Sequence, residues 1–172
     1  MEVLEAIINR RSIRRYTGED VSENEVETLL KAAMYAPSAV NKRPWHFIIF
    51  RNKATIDEIV AVHPNAGMLR QASVGILICW DERLQHDEGY GPVDCAAATQ
   101  NILLAAHGLG LGAVWVGIYP RVHRIEALHR IFELPEHVKP FSVVSVGRPA
   151  EKKPVPDRFD RKRIHPEKWQ ST

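Results

Sequence analysis

Apolar positions along the chain change period several times, and each change marks an element. Val3, Leu4, Ile7 and Ile8 recur at helical spacing and predict a first helix from Glu2 to about Asn9. A polar, arginine-rich stretch follows through Tyr16. Ser22 with Glu25 three residues later is a capping box, and Val21 with Val26 is placed as a hydrophobic staple, so a second helix begins there. Pro37 forces its end, because the residue before proline is pushed out of the helical region. His46–Phe50 reads as a strand, Thr55 with Glu58 as the capping box of a short third helix, and Val74–Trp80 as a fully buried strand. Asp81–Val93 is polar and reads as a loop ending on Asp94 as N-cap. From Cys95 to about His107 a helix is apolar nearly all round, so it is covered on every side, either by the sheet and neighbouring helices alone or in part by a second subunit. Gly112–Gly117 predicts a strand, Pro120 opens another helix, and Phe141–Val146 is a last strand. The order of elements gives an α+β fold with a mixed central sheet flanked by helices.

Length and composition narrow this further. At 172 residues and 45% hydrophobic, the chain supports a single domain over 1–172 with one core; residues 148–172 form a basic extension without a core pattern. A net charge of +2 is too near balance to imply a nucleic-acid partner. The basic residues are nevertheless uneven. Arg10, Arg11, Arg14 and Arg15 crowd one end, and Lys152, Lys153, Arg158, Arg161, Lys162 and Arg163 the other. They read either as two solvated segments or as two clusters converging on one anion. No signal sequence or membrane span is visible, and Cys79 and Cys95 read as buried, reduced thiols, so a cytoplasmic location is expected.

Several motifs fall away on context. Gly108-Leu109-Gly110-Leu111-Gly112-Ala113 fits a dinucleotide-binding pattern, but a helix precedes it and a strand follows, the reverse of what a pyrophosphate site needs. The eight histidines are scattered, without metal-ligand spacing, and Ser12 and Ser38 lack the setting of an activated nucleophile.

Four segments taken together resemble the nitroreductase (FMN oxidoreductase) family: Arg10–Tyr16 after the first helix, Ala36–Trp45 feeding a strand, Gly108–Pro120, and Val146–Ala150 before the basic tail. The resemblance implies a dimeric nitroreductase-like sandwich with FMN at the interface of a homodimer. It implies that Arg10, Arg11 and Ser12 bind the phosphate and ribityl end, with Arg158 as a further phosphate ligand. Arg14 would lie at the pyrimidine edge of the flavin and favour its reduced anion. Pro37, Ser38, Ala39 and Asn41 would reach the flavin of the other subunit. Trp115, Val116 and Gly117 would meet the ring, with the Val116–Gly117 backbone at N5 and Gly117 allowing close approach. At position 43 the family usually has Gln, and Arg43 stands here, a departure that could serve an anionic substrate or NADPH.

The implied activity is a ping-pong oxidoreduction, with NAD(P)H as reductant and a nitroaromatic, quinone or similar small molecule as acceptor. No side-chain nucleophile and no metal is required. Two alternatives remain: a specialised relative at the same flavin site, such as a dehydrogenase, dehalogenase or flavin destructase, and a non-catalytic FMN-binding module. A nucleic-acid binder using the tail is weaker, because only Phe159 and Trp169 could stack bases there.

Overall fold

The computed structural model describes residues 2–170. Four strands, β1 (Trp45–Phe50), β2 (Val74–Asp81), β3 (Gly112–Gly117) and β4 (Val138–Gly147), form one sheet in the order β1-β2-β4-β3. All three pairings are antiparallel. The expected mixture of directions comes only from a parallel bridge between Ser12 and Ala113 at the β3 edge. Around the sheet pack α1 (Val3–Asn9), α2 (Glu23–Met34), α3 (Lys53–Val62), α4 (Tyr90–Gly108) and α5 (Val122–Ile131).

Every residue of β2 is buried, as its unbroken apolar run requires. One face of the sheet packs with α2 and α4 through Leu29, Ile76, Ile78, Ile102 and Val144. The other packs with α3 and α5 through Ile59, Leu77, Val114, Leu128 and Val143. Period-2 alternation along β2 and β4 thus feeds two hydrophobic layers. β4 begins earlier than its apolar run because Pro140 is tolerated within it. The pairing shifts register at Ile78/Cys79, opposite the residue that cannot donate to the ladder.

The capping box of α2 forms as expected: Glu25 N donates to Ser22 Oγ at 3.3 Å, and Ser22 N to Glu25 Oε2 at 2.9 Å. Three other helix starts differ. α3 is capped by Asn52, whose side-chain oxygen accepts from Ala54 N and Thr55 N, so Thr55 lies inside the first turn instead of before it. α5 starts at Val122, because the chain first turns around Pro120 with Arg121 N donating to Ile118 O. α4 starts at Tyr90, not after Asp94. Gly89 takes φ +91 as its cap, and Pro92 sits in the first turn, where a missing N–H costs nothing. Gly91 lies so close to the Trp80 ring that a Cβ there would fall 2.2 Å from it. Asp94 is therefore inside the helix and buried.

Helix α1 buries nothing within the chain. Val3 and Leu4 are 72% and 73% exposed, and Ile7 and Ile8 more than half exposed. Its apolar face exists but has no cover among the described residues of this chain. The basic extension, described to residue 170, leaves the sheet at Gly147 and crosses the N-terminal arginine segment. No helix is long and apolar enough to cross a membrane, among the described residues.

Candidate functional site

Arg10–Tyr16 runs extended along the outer edge of β3, with Ile13 N donating to Ala113 O at 3.0 Å. Strand-like alternation turns Ile13 inward, where it is buried against Gly112, and leaves Arg14 exposed. Tyr16 is buried and anchors the segment: its hydroxyl donates to Ile13 O at 2.9 Å and lies 3.0 Å from Ser145 Oγ. Burial pushes the Tyr16 phenol up to about 12.

The tail holds the same segment from outside. Ala150 N donates to Arg15 O, Lys153 Nζ to Ser12 O at 2.7 Å, and Arg11 Nε to Pro154 O at 2.9 Å. Glu151 accepts from Arg14 N at 2.6 Å and Arg15 N at 3.3 Å. The Arg14 amide and the Lys153 ammonium hold its carboxyl below the usual range. Glu151 and Lys153 were not legible as site residues, because their role depends on a contact across about the whole chain. Arg11, expected on the phosphate, spends Nε and Nη1 on Pro154 and Arg10 carbonyls.

Arg10 faces a cavity of about 430 Å³ lined by Ile13, Leu103, His107, Lys152 and Val155. Burial, then the charges of Arg11 and Arg158, lower the Arg10 guanidinium from its ordinary value. The two basic clusters therefore do converge: Arg158 stands within Coulomb reach of Arg10. Arg10 Nη1 and His107 Nε2 are both buried without a hydrogen-bond partner. Each such orphan costs about 1–3 kcal/mol, so two in one cavity point to an acceptor that completes it.

A second cavity, of about 320 Å³, lies along the outer edge of β3. It brings together Arg14, Trp115, Val116 and Gly117, and adds His63, Asn65 and Arg124, none of which the sequence singled out. His63 is almost fully buried at the end of α3. Its Nδ1 accepts from Asn65 N at 3.2 Å, which assigns the proton to Nε2, 2.9 Å from Gly117 O. Arg124 Nη1 donates to the same carbonyl at 2.9 Å. Burial lowers the His63 pKa, offset in part by the Gly117 carbonyl and reinforced by Arg124. Two donors thus pin the end of β3. A Cβ at Gly117 would meet nothing within 4 Å, so within this chain no close approach demands glycine there.

Pro37, Ser38, Ala39 and Asn41 line neither cavity. They lie on the segment between α2 and β1, held from α4: Asp94 Oδ1 accepts from Ala39 N at 3.0 Å, while Oδ2 is buried and unpartnered. Ser38 Oγ accepts from Arg43 N at 2.9 Å. Val40, Asn41 and Arg43 take φ of 49°, 55° and 51°, three of the five non-glycine left-handed residues among the described ones. For a β-branched residue this is costly, and strain of this kind persists only where its surroundings fix it.

The model of the nitroreductase family matches residues 7–63 and 61–148. The chain belongs to the nitroreductase family. A candidate NADH dehydrogenase/NAD(P)H nitroreductase of Methanothermobacter thermautotrophicus is 52% identical over 98% of this chain and 88% of its own length. Among solved structures, a candidate NADH dehydrogenase/NAD(P)H nitroreductase of Parabacteroides distasonis superposes with a TM-score of 0.93 at 37% identity, covering 97% of this chain and 98% of that one. A candidate nitroreductase of Desulfovibrio desulfuricans, solved in complex with FMN, gives 0.85 at 32% identity and 99% coverage of both chains. The matched family segments of this nitroreductase-family chain end at residue 148, so the strap formed by Glu151 and Lys153 lies beyond them.

Proposed function

We propose that this chain is an FMN-dependent oxidoreductase that uses NAD(P)H to reduce nitroaromatic, quinone or similar small acceptors. The observation that carries the reading is the pair of cavities strung along one extended segment. Arg10 stands at a buried, donor-lined end and Arg14 at an edge lined by β3 backbone. A phosphate of about −1.5 to −2 charge suits the first, by charge-assisted bonds from guanidinium. A planar ring with acceptor atoms at its polar edge suits the second. The FMN in the Desulfovibrio desulfuricans relative and the NAD(P)H in the Methanothermobacter thermautotrophicus relative's description support the same assignment.

FMN, when bound, supplies two-electron transfer between a nicotinamide and an acceptor. The chain's own residues do the rest. Arg10, Ser12 and Arg158 hold the phosphate and ribityl end, with Arg11 reinforcing their field. Arg14 places a fixed charge where the reduced ring gains negative charge. His63 and Arg124 hold the Gly117 carbonyl, and with it the backbone of Trp115, Val116 and Gly117 that faces the ring. In this reading NAD(P)H and the acceptor use the same exposed flavin face in turn, a ping-pong order.

The working unit in this reading is a homodimer. The bare apolar face of α1 and the groove lined by Val3, Ala6, Ala32, Tyr35 and Leu104 await a second copy. The Pro37–Asn41 segment then faces the partner's flavin, and Arg43 beside it adds positive charge for an anionic substrate or NADPH. Two free, buried cysteines are consistent with a cytoplasmic setting.

The decisive experiment is the visible spectrum of the purified protein before and after anaerobic NAD(P)H. A flavin band that bleaches, and returns on adding a quinone, is expected. A band that never bleaches would make the protein a non-catalytic FMN carrier. A protein that takes up no flavin would overturn the assignment.

A further inference from the structure

We propose that His107 is a phosphate ligand of this site and sets its preference for a phosphorylated flavin over an unphosphorylated one. The inference rests on the flavin reading above and assigns a role to a residue outside the four recognised segments' expected contacts.

Two buried nitrogens beside one cavity lack partners. His107 lies in the last turn of α4, and its side chain faces the same cavity as Arg10. Both His107 Nε2 and Arg10 Nη1 are buried, and neither has a partner. Ile13, Leu103, Leu111 and Ala113 make one part of the lining apolar, and Asn9 is its one neutral amide side chain, with no hydrogen bond to His107 or Arg10. The only carboxylate at the cavity is Glu151, and it is turned to the amides of Arg14 and Arg15 and to Lys153. Lys152 adds a further cation at the wall. The carbonyls that end α4 do not compete for His107. Leu109 N, Leu111 N and Gly110 N cap those of Ala105, Ala106 and His107 itself, the last through Gly110 at φ +73. With its proton on Nε2, the His107 imidazole joins the Arg10 guanidinium as a second donor beside one space, and together they match an oxyanion with several lone pairs, as a phosphate monoester provides.

In the flavin reading the riboflavin portion would run from this cavity toward Arg14, so loss of His107 is expected to be felt by the phosphate alone.

The test uses apo-protein titrated with FMN and, separately, with riboflavin, followed by quenching of flavin fluorescence. His107→Ala is expected to weaken FMN roughly ten- to hundred-fold, the worth of one charge-assisted bond, and to leave riboflavin unchanged. His107→Gln, which keeps an N–H donor, is expected to recover most of the FMN affinity. Equal weakening of both flavins in His107→Ala would make the residue merely structural and overturn the inference, as would no change in either. A second arm uses inorganic phosphate alone on flavin-free protein, watched by the imidazole NMR resonances. A His107 shift that saturates with phosphate and is lost in Arg10→Ala supports the cradle. Its absence overturns it. If phosphate moves His107 while no flavin binds, the cradle stands and the flavin assignment fails.

Discussion

The arginines at the start of the chain divide their work by position along one extended segment. Arg10 lines the cavity beside the end of α4 and the tail, whereas Arg14 is exposed at the cavity along the edge of β3. Arg10→Ala should therefore weaken FMN binding by about one to two decades, measured by equilibrium titration. Arg14→Ala should instead make the flavin midpoint potential more negative, on the order of 30–60 mV if a contact of about 1.5–3 kcal/mol is lost from the reduced form alone. Spectroelectrochemical titration of both variants checks the division; a potential that follows Arg10 and ignores Arg14 would reverse it. His63 makes a different prediction. Burial depresses its folded-state pKa, so the unfolded chain takes up a proton first as pH falls. Its contribution is intact above the ordinary histidine range and is lost as pH drops from about 6.5 through the lower folded value. Wild type should lose more thermal stability between pH 7.5 and 5 than His63→Gln, by parallel melts. His63 was invisible in the sequence because a lone histidine at a helix end has no pattern. Only the fold puts Gly117 O beside it.

Among the elements, α2 shows how far local rules carry. Ser22 and Glu25 announced its start, and the box forms as the spacing requires. Glu25 also accepts a paired contact from Arg148 at 2.8 and 3.0 Å, joining the helix to the end of β4 across 123 residues. The Ser22 amide and this guanidinium hold the Glu25 carboxyl below its ordinary value. Ser22→Ala should cost about 1 kcal/mol, roughly 2–4 °C in a chain of this size, by calorimetry. The start of α4 was misplaced for the opposite reason. Gly89, Gly91 and Pro92 look like loop residues, yet Gly91 is there because Trp80 leaves no room for a side chain. Asp94, which looked like a cap, instead fixes the strained Ser38–Arg43 segment from inside the helix. Local composition cannot report a tertiary neighbour, and the displaced start of α4 has one in Trp80.

For the molecule as a whole, periodicity and capping signals identified the four strands and five α-helices of the described residues, because each carries an apolar face and all but α1 bury it in this chain. They could not say which face would stay bare. Helix α1 carries Val3, Leu4, Ile7 and Ile8 into solvent. Ile7→Glu should shift the protein toward monomer in sedimentation at micromolar concentration and weaken flavin retention with it; a monomer holding its full flavin would separate the two. The strap of Pro149–Pro154 over Arg11–Tyr16 has a consequence in time. Glu151 is made 137 residues after Arg14, and Lys153 141 residues after Ser12, so the arginine segment exists long before the groups that set it. A chain synthesised only as far as Gly147 would hold all four strands of the sheet with this segment still unset.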